Sequence, residues 1–259
     1  MRPVAELAAH SKALRGLFSD IDDTLTHEGE VVLEAYAALV RARAAGLRVV
    51  LVTGRPAGWA EVLAQLWPVD AAIAENGGIA YLRRGRRLER LYFASGDPAD
   101  DARRLATLAD DVLGTFAFAR RSDDCALRVT DVAFDVGEHQ HLSAAEIADM
   151  TARCRELGAR TIVSSVHAHA FFHTADKAQM SARVANVLWG ETAEDVAEHY
   201  AFVGDSPNDQ AAFAFFHSSI GVANVARYGD VLKPPPRYIT PSTNGRGFAE
   251  AIDVILANR

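Results

Sequence analysis

A short apolar run that ends in closely spaced aspartates constrains this chain more than any other feature. The stretch GLFSDIDDTL, residues 16–25, places Asp20, Asp22 and Asp23 directly after an apolar segment. Carboxylates this close together repel one another, and aspartate is uncommon within strands. In an extended strand end, side chains two positions apart point to the same side, so Asp20 and Asp22 can address one space. The segment is either an aspartate-rich turn that caps the next helix or a site where a metal offsets the repulsion.

Helix and strand patterns alternate in the N-terminal and C-terminal parts of the chain. The segment LEAYAALVRARAAG, residues 33–46, has helical apolar spacing and ends in glycine, and RVVLVTGR is a second apolar run that ends in small polar residues. Later, KAQMSARVANVLWG and NDQAAFAFF predict helices, whereas YAFVGD and SSIGVAN predict strands. Apolar strands separated by helices indicate a parallel sheet buried on both faces, with sites at the carboxyl ends of its strands. We therefore predict an α/β core formed by residues 1–83 and 172–259.

The middle of the chain, residues 84–171, has a different order of elements. It predicts a strand in LERLYFA, a helix in PADDARRLATLADDVLGTF, strands in ALRVTDVAFDV, and then a helix and a strand, TIVSSVHAHAFFH. The second helix opens with SAAE, in which Ser143 and Glu146 can form a capping box. We interpret this segment as an α+β insertion that covers the site as a cap.

Composition argues against several kinds of partner. The chain has 259 residues and a formal net charge of -7, whereas nucleic acids and anionic membranes are met by clustered Lys and Arg. No segment approaches the roughly 18 uninterrupted apolar residues of a membrane span, and the N-terminus lacks the apolar core of a signal peptide. Cys125 and Cys154 have no metal-ligand spacing. We expect a cytoplasmic protein without nucleic-acid or membrane partners, and the sequence leaves its oligomeric state open.

Three further motifs follow the aspartates in a fixed order. They are VVLVTGR with Thr53, DKAQM with Lys177, and FVGDSPND with Asp205 and Asp209. In order and strand context, the four motifs resemble those of the haloacid dehalogenase superfamily over essentially the whole chain. The resemblance implies a Rossmann-like core with a parallel sheet and an inserted, mobile cap.

Finer features are similar to subfamily IIB, the Cof-type and sugar-phosphate phosphatases. These features are AENGG at 74–78, GVANV at 221–225, and the position of the insertion between the second and third motifs. Asp23 departs from the pattern because relatives often have glycine there, which puts the geometry of this loop in question.

The resemblance implies catalytic roles for four residues. Asp20 would attack phosphorus and form an aspartyl phosphate. Asp22 would protonate the leaving oxygen and then activate water. Thr53 would donate its hydroxyl to a phosphoryl oxygen, and Lys177 would stabilise the charge on the equatorial oxygens.

The resemblance also implies a Mg²⁺ site. Its ligands would be Asp20, the backbone carbonyl of Asp22 and Asp205, while Asp209 would act through water or hold Lys177.

The remaining candidates concern the substrate, a small phosphorylated molecule. The substrate-binding candidates are Gly54, Arg55, Asn76, Asn208, Arg128 and His169, with Arg121 as a further cap residue. For Arg55 and Asn76 the alternative is that they brace the loops. His167, His169 and His173 share one face of a predicted strand. They could bind zinc, contact the substrate or simply pack, and no fourth ligand pattern supports zinc.

We expect a Mg²⁺-dependent phosphatase acting on a small metabolite, with a sugar phosphate favoured by the subfamily resemblance. A phosphomutase of the phosphomannomutase type is the nearest alternative, because it resembles the same core and cap. A non-catalytic phospho-switch is disfavoured by Asp22, since a switch gains nothing from a water-activating base. A haloalkanoate dehalogenase is disfavoured, because its chemistry does not need the metal ligands Asp22 and Asp205.

Overall fold

The structure is a computed structural model that describes residues 1–94, 97–164, 166–257 and 259. Within these ranges it has fourteen strands and eight α-helices. The strands are β1 (Arg2–Pro3), β2 (Gly16–Ser19), β3 (Thr26–His27), β4 (Glu30–Val31), β5 (Arg48–Val52), β6 (Ala71–Ala74), β7 (Ile79–Arg84), β8 (Arg87–Tyr92), β9 (Asp131–Asp135), β10 (Arg160–Val163), β11 (His167–Phe171), β12 (Tyr200–Gly204), β13 (Ser218–Gly221) and β14 (Tyr238–Ile239). The helices are α1 (Leu33–Ala44), α2 (Ala57–Leu66), α3 (Pro98–Thr115), α4 (Ala144–Glu156), α5 (Lys177–Trp189), α6 (Ala193–His199), α7 (Gln210–Phe215) and α8 (Asn244–Leu256).

Nine strands form one large sheet, in the order β1-β14-β13-β12-β2-β5-β6-β7-β8. Neighbouring strands are parallel from β1 to β6, and β7 and β8 extend the sheet in antiparallel pairing. Strand β2 lies between β5, which follows it in the chain, and β12, which comes much later. The strand order therefore reverses at β2, and in open α/β sheets ligands bind beside such a point. The predicted α/β fold is confirmed.

Apolar residues bury the large sheet on both faces. Strands β2, β6 and β12 have only buried residues, as expected for central strands of a parallel sheet. Helices α1, α2 and α8 contribute buried residues to the apolar cluster on one face. Helices α5, α6 and α7 contribute to the cluster on the other. The sheet is thus a rigid layer that fixes the positions of its strand ends.

Local signals in the sequence set the ends of the core helices. Helix α1 ends at Ala44, and Gly46 follows with a φ of 82°, a conformation that glycine adopts without strain. Helix α5 begins at Lys177, where the Asp176 side chain accepts a hydrogen bond from the Gln179 amide at 2.8 Å. Both predicted helices are confirmed.

Residues of the predicted insertion form a second, smaller sheet. Its strands are antiparallel in the order β10-β11-β9, and α3 and α4 pack against them around a separate apolar cluster. The predicted capping box of α4 is present, with the Ser143 side chain and backbone both bonded to Glu146. The separate core is what a semi-independent cap requires, and the division of the chain into core and cap at residues 84 and 171 stays a prediction.

Two details of the predicted insertion differ. The sequence pattern assigns strand β8 to the insertion, but β8 pairs with β7 in the large sheet, because a tight turn at Gly85, with a φ of 63°, folds it back. The strand predicted in TIVSSVHAHAFFH is two antiparallel strands, β10 and β11, and Ser165 between them lies outside the described residues.

The helices in the described ranges are either too short or too polar to span a membrane. No helix there combines the length and the apolar character that crossing a bilayer requires.

Candidate active site

Loops at the carboxyl ends of β2, β5 and β12 gather the predicted motif residues. Asp20 follows β2, Thr53 follows β5 and Asp205 follows β12. The Asp20 amide donates to the Val203 carbonyl at 2.9 Å, which continues the strand pairing to the aspartate itself. Parallel strands end at one edge of a sheet, so these side chains converge there.

The aspartate loop turns sharply at Asp23. This residue has a φ of 55°, in the left-handed region where glycine is unstrained and aspartate is among the better tolerated alternatives. Glycine, which the family resemblance leads one to expect at this position, adopts that conformation without strain, so Asp23 is compatible with a glycine-like turn.

Lys177 lies between two of the aspartates. Its Nζ donates to Asp20 Oδ1 at 2.7 Å and to Asp209 Oδ1 at 2.6 Å, and all three residues are buried. Burial opposes the ammonium charge, but the two carboxylates outweigh it and raise the pKa of Lys177. Burial also raises the pKa of the Asp20 carboxyl well above its usual range, Lys177 opposes that rise, and nearby aspartates add to it. A charged lysine therefore holds the predicted nucleophile in place.

Both carboxylate oxygens of Asp209 accept hydrogen bonds from other groups of the protein. While Oδ1 accepts from Lys177, Oδ2 accepts from the backbone amides of Asp205 at 3.0 Å and Ser206 at 3.2 Å. Both oxygens are thus engaged, which supports the predicted role of holding Lys177 over that of a direct metal ligand.

Asp205 is buried beside like charges. Asn224 Nδ2 donates to its Oδ2 at 2.9 Å, and the Arg227 guanidinium lies 3.2 Å from the same oxygen. Burial, together with Asp209 and Asp23, raises the pKa of Asp205 to about 7.

The acidic cluster suits a hard divalent cation. Carboxylate oxygens of Asp20, Asp205 and Asp209 lie within 4.8 Å of one another. These donors are all oxygen, which Mg²⁺ and Ca²⁺ prefer, and a cation would offset the repulsion that raises the pKa of Asp205. Since Asp209 is committed to other partners, Asp20 and Asp205 are the carboxylates best suited to a metal. A contribution from the Asp22 carbonyl stays a prediction.

Asp22 is held by Arg55. The Arg55 Nε lies 3.0 Å from Asp22 Oδ1 and 3.1 Å from Oδ2, and the Asp22 side chain keeps 40% of its surface exposed. Thr53 Oγ1 accepts from the Arg55 backbone amide at 2.9 Å, so the threonine hydroxyl braces the same loop. The sequence left Arg55 either to reach the substrate or to brace the loops, and the closest side-chain partner of Arg55 in the structure is this aspartate.

A cavity of about 590 Å³ opens above the aspartates, between the edge of the large sheet and the small sheet. The predicted site residues that line it are Asp20, Asp22, Gly54, Arg55, His169, Asp205 and Asn208. The small sheet contributes residues from the turn between β10 and β11 as well as His167. The cavity has room for a small substrate that contacts both sheets.

Other predicted substrate contacts lie behind the cavity wall. The Arg128 side chain is only 1% exposed and is surrounded by Asp124, Asp131 and the Gly54 carbonyl. A buried guanidinium needs such partners, so the geometry favours a positioning role. Asn76 is also buried and packs against Gly54. A Cβ added to Gly54 would lie 3.2 Å from the Asn76 Nδ2.

Sequence reasoning missed two residues of this site. Asn224 binds both Asp205 and the backbone carbonyl of Asp23, and Arg227 pairs with Asp205 and Asp23. The segment GVANV begins at the last residue of β13 and continues along the same edge of the sheet, so it carries a signal for Asn224 but not for Arg227.

Carboxylates gathered around a buried lysine at the switch point of an α/β sheet define an enzyme suited to phosphoryl transfer. The sequence profile of the haloacid dehalogenase-like hydrolases matches residues 17–112. A phosphoglycolate phosphatase from Pyrobaculum neutrophilum is 30% identical over 246 residues, which cover 93% of this chain and 95% of that protein. The chain belongs to the haloacid dehalogenase-like hydrolases and is a phosphatase of that family.

Solved structures of low identity share the fold. A Thermoplasma acidophilum protein superimposes with a TM-score of 0.73 at 18% identity, covering 93% of this chain and 98% of that one. A sugar phosphatase of haloacid dehalogenase subclass IIB superimposes with a TM-score of 0.63 at 14% identity, with coverage of 93% and 98%. The similarity spans the large sheet and the inserted unit together.

Proposed function

We propose that the protein is a Mg²⁺-dependent phosphomonoesterase that hydrolyses a small phosphorylated metabolite through an aspartyl phosphate on Asp20. The observation that carries the proposal is the buried Lys177, which bridges Asp20 and Asp209 beside a third carboxylate, Asp205. This arrangement supports Asp20 as the nucleophile and Lys177 as the positive charge that an approaching phosphoryl group would meet.

In the first half-reaction, a carboxylate oxygen of Asp20 attacks phosphorus and the bond from phosphorus to the leaving oxygen breaks. The electron pair goes to the leaving oxygen, which takes a proton from Asp22. Lys177 contacts Asp20 at 2.7 Å, so its charge lies close to the phosphoryl oxygens throughout.

In the second half-reaction, water attacks the same phosphorus and the bond to Asp20 breaks, which frees inorganic phosphate. Asp22, now a carboxylate, accepts the proton of that water. Arg55 holds Asp22 by both of its oxygens at the cavity wall, so the group that gave the first proton is in place to take the second.

Asp20 and Asp205, with the backbone carbonyl of Asp22, would hold the Mg²⁺. When bound, the ion supplies the positive charge that lets a dianionic phosphoester approach a carboxylate. The all-oxygen donor set supports this choice of cation.

The substrate class is proposed from the cavity and from relatives. A sugar phosphate is our first candidate, since the subclass IIB relative is a sugar phosphatase. Phosphoglycolate is the second, since the Pyrobaculum relative is a phosphoglycolate phosphatase. A cytoplasmic location is part of the proposal, in keeping with the free thiols of Cys125 and Cys154.

A panel of phosphorylated metabolites tests the proposal. Phosphate release should require Mg²⁺, stop on chelation and return when Mg²⁺ is restored. Transfer of the phosphoryl group within the substrate, dependent on a bisphosphate activator and without phosphate release, would favour a phosphomutase instead.

A further inference from the structure

His169 lines the cavity from the side of the small sheet, and a buried carboxylate holds its ring. It lies in the middle strand of the small sheet, paired in register with Ala133 and Ile162, and it lines the cavity. Its Nδ1 lies 2.8 Å from Asp131 Oδ2, and the side chains of both residues are almost fully buried. The ring therefore has one fixed orientation.

Asp131 is in turn held by Arg128. The Arg128 Nη1 donates to both oxygens of Asp131, at 3.0 and 3.1 Å, and also to the Gly54 carbonyl at 3.2 Å. Burial opposes ionisation of Asp131, but Arg128 and His169 outweigh it and hold the pKa of this carboxyl below its usual value. A chain of contacts thus connects the loop after β5 to the histidine in the cavity.

This arrangement selects one tautomer of the His169 ring. An ionised carboxylate only accepts hydrogen bonds, so Nδ1 must carry the hydrogen. In a neutral ring, Nε2 then holds a lone pair and accepts.

The neighbouring polar groups in the cavity point to the same chemistry. His167 Nε2 lies 2.8 Å from Glu138 Oε2, and burial together with His169 lowers the pKa of His167. Among the described residues, the two arginines that line the cavity, Arg55 and Arg227, are each paired with aspartates. Within the part of the chain that the structure describes, the wall therefore offers two imidazoles to the leaving group and no arginine that lacks an acidic partner.

We propose that His169 is a specificity-determining residue whose Nε2 accepts a hydrogen bond from a hydroxyl group of the substrate, so that hydroxylated leaving groups are preferred over carboxylate-bearing ones. The inference rests on the proposed phosphatase function and names its substrate class. Arg128 and Asp131 are positioning residues that hold the tautomer.

The test compares two small substrates that differ in this property. The leaving group of glycerol 3-phosphate is glycerol, which carries further hydroxyl groups. The leaving group of 2-phosphoglycolate is glycolate, which carries a carboxylate. The p-nitrophenolate released from p-nitrophenyl phosphate carries neither group and serves as the reference. The wild type should have the higher kcat/KM for glycerol 3-phosphate. His169→Phe should lower the ratio of glycerol 3-phosphate to p-nitrophenyl phosphate about tenfold, the effect of about one lost hydrogen bond. His141→Phe, at an exposed histidine of the insertion, should leave that ratio unchanged.

Asp131→Asn gives a second, spectroscopic readout. Arg128 only donates, so the amide oxygen of the new side chain should face Arg128 and its amide nitrogen should face His169. The ring would then carry its hydrogen on Nε2 and become a donor toward the cavity. Nitrogen-15 spectra should report the Nδ1–H tautomer in wild type and Nε2–H in this variant, with relative kcat/KM moving toward 2-phosphoglycolate.

The outcomes separate the two proposals. An Nε2–H tautomer in wild type, or an unchanged substrate ratio in His169→Phe, would overturn the role of His169 while the phosphatase proposal stands. If the wild type hydrolysed none of the three esters with Mg²⁺, the phosphatase proposal would fail and the inference with it.

Discussion

Lys177 illustrates, at the scale of one residue, how the site tolerates its own charges. It is the first residue of α5, and its side chain reaches two aspartates at the ends of other elements. Asp20 lies directly after β2, and Asp209 lies directly before α7. Removing one partner of a buried ion pair leaves the others as uncompensated charges, which costs about 3–5 kcal/mol. Stability and catalysis should therefore both depend on this ammonium group.

Lys177→Met should lower the free energy of unfolding by about 3 kcal/mol or more in the metal-free protein and remove measurable turnover. Urea unfolding and steady-state phosphate release are the two measurements. Lys12→Met, at an exposed lysine, is the matched control and should change neither. If Lys177→Met unfolded like wild type, the bridge would contribute little.

Asp22→Asn should separate the two half-reactions. The variant cannot protonate a leaving alkoxide, which matters for a sugar phosphate and much less for an aryl phosphate, and it cannot activate water in either case. With p-nitrophenyl phosphate, rapid mixing should reveal a burst of phenolate followed by slow turnover. Equal losses for aryl and sugar phosphates, without a burst, would mean that Asp22 has only a structural role.

Individual residues of the site were predictable to different degrees. Asp20, Lys177 and Asp205 stand at strand or helix ends in recognisable motifs, so their meeting follows from a parallel sheet. The burial of Arg128 did not follow, because a polar residue of the insertion reads the same in sequence whether it faces a cavity or a carboxylate behind it. Only the placement of Asp124 and Asp131 decides this.

At the scale of elements, the loop between β6 and β7 positions the start of α5. Three successive residues, Glu75, Asn76 and Gly77, have positive φ values of 51°, 54° and 108°. A Cβ at Gly77 would lie 2.5 Å from the Asp176 carbonyl oxygen, directly before Lys177. The glycine is thus required by close backbone approach as well as by its own conformation.

Gly77→Ala should therefore displace the start of α5 and disturb Lys177. We expect a loss of stability of about 2 kcal/mol or more and a lower kcat, since backbone atoms cannot move aside as a flexible side chain can. Gly85→Ala is the control, because Gly85 also has a positive φ, of 63°, but open space around it. Equal effects in the two variants, measured by thermal unfolding and kcat, would rule out the backbone contact as the cause.

Strand β8 marks where prediction of elements reached its limit. Its existence was predicted, but its sheet was not, because strand partners depend on the turn that precedes it. That turn lies in the segment RRGRR, residues 83–87, between the end of β7 and the start of β8. A hairpin at this turn pairs β8 with β7. Helices with clear caps, such as α4 and α5, were predicted closely because their end signals are local.

At the scale of the whole molecule, Glu75 joins the two sheets. Its carboxyl accepts from the Ala57 amide at the start of α2 and from the Val129 amide and the Thr130 amide and hydroxyl just before β9. Burial and Asp131 raise its pKa from the usual 4.5 to about 7, although these donors oppose the rise. The side chain of Glu75, directly after β6 of the large sheet, thus binds the segment that leads into β9 of the small sheet.

The stability of the protein should carry the signature of this group. The folded state binds the Glu75 proton more tightly than the unfolded chain does, so its contribution is fully present below about pH 4.5 and is lost as the pH rises through about 7, by about 3 kcal/mol in total. Glu75→Gln should make the pH slope in urea unfolding shallower by the share of Glu75, while the share of Asp205, whose pKa is also raised to about 7, remains. Glu89→Gln, on an exposed side chain, should retain the wild-type slope, and an equal slope in wild type and Glu75→Gln would contradict the assignment.

The proposed mechanism depends on covalent attachment of phosphate to Asp20, which mass spectrometry of acid-quenched enzyme detects. Enzyme mixed with Mg²⁺ and p-nitrophenyl phosphate should carry one added phosphoryl group on the peptide that contains Asp20. The adduct should accumulate in Asp22→Asn and be absent from Asp20→Asn, whose kcat should fall by about four powers of ten. Turnover without any adduct in Asp22→Asn, or an adduct on another residue, would contradict the account.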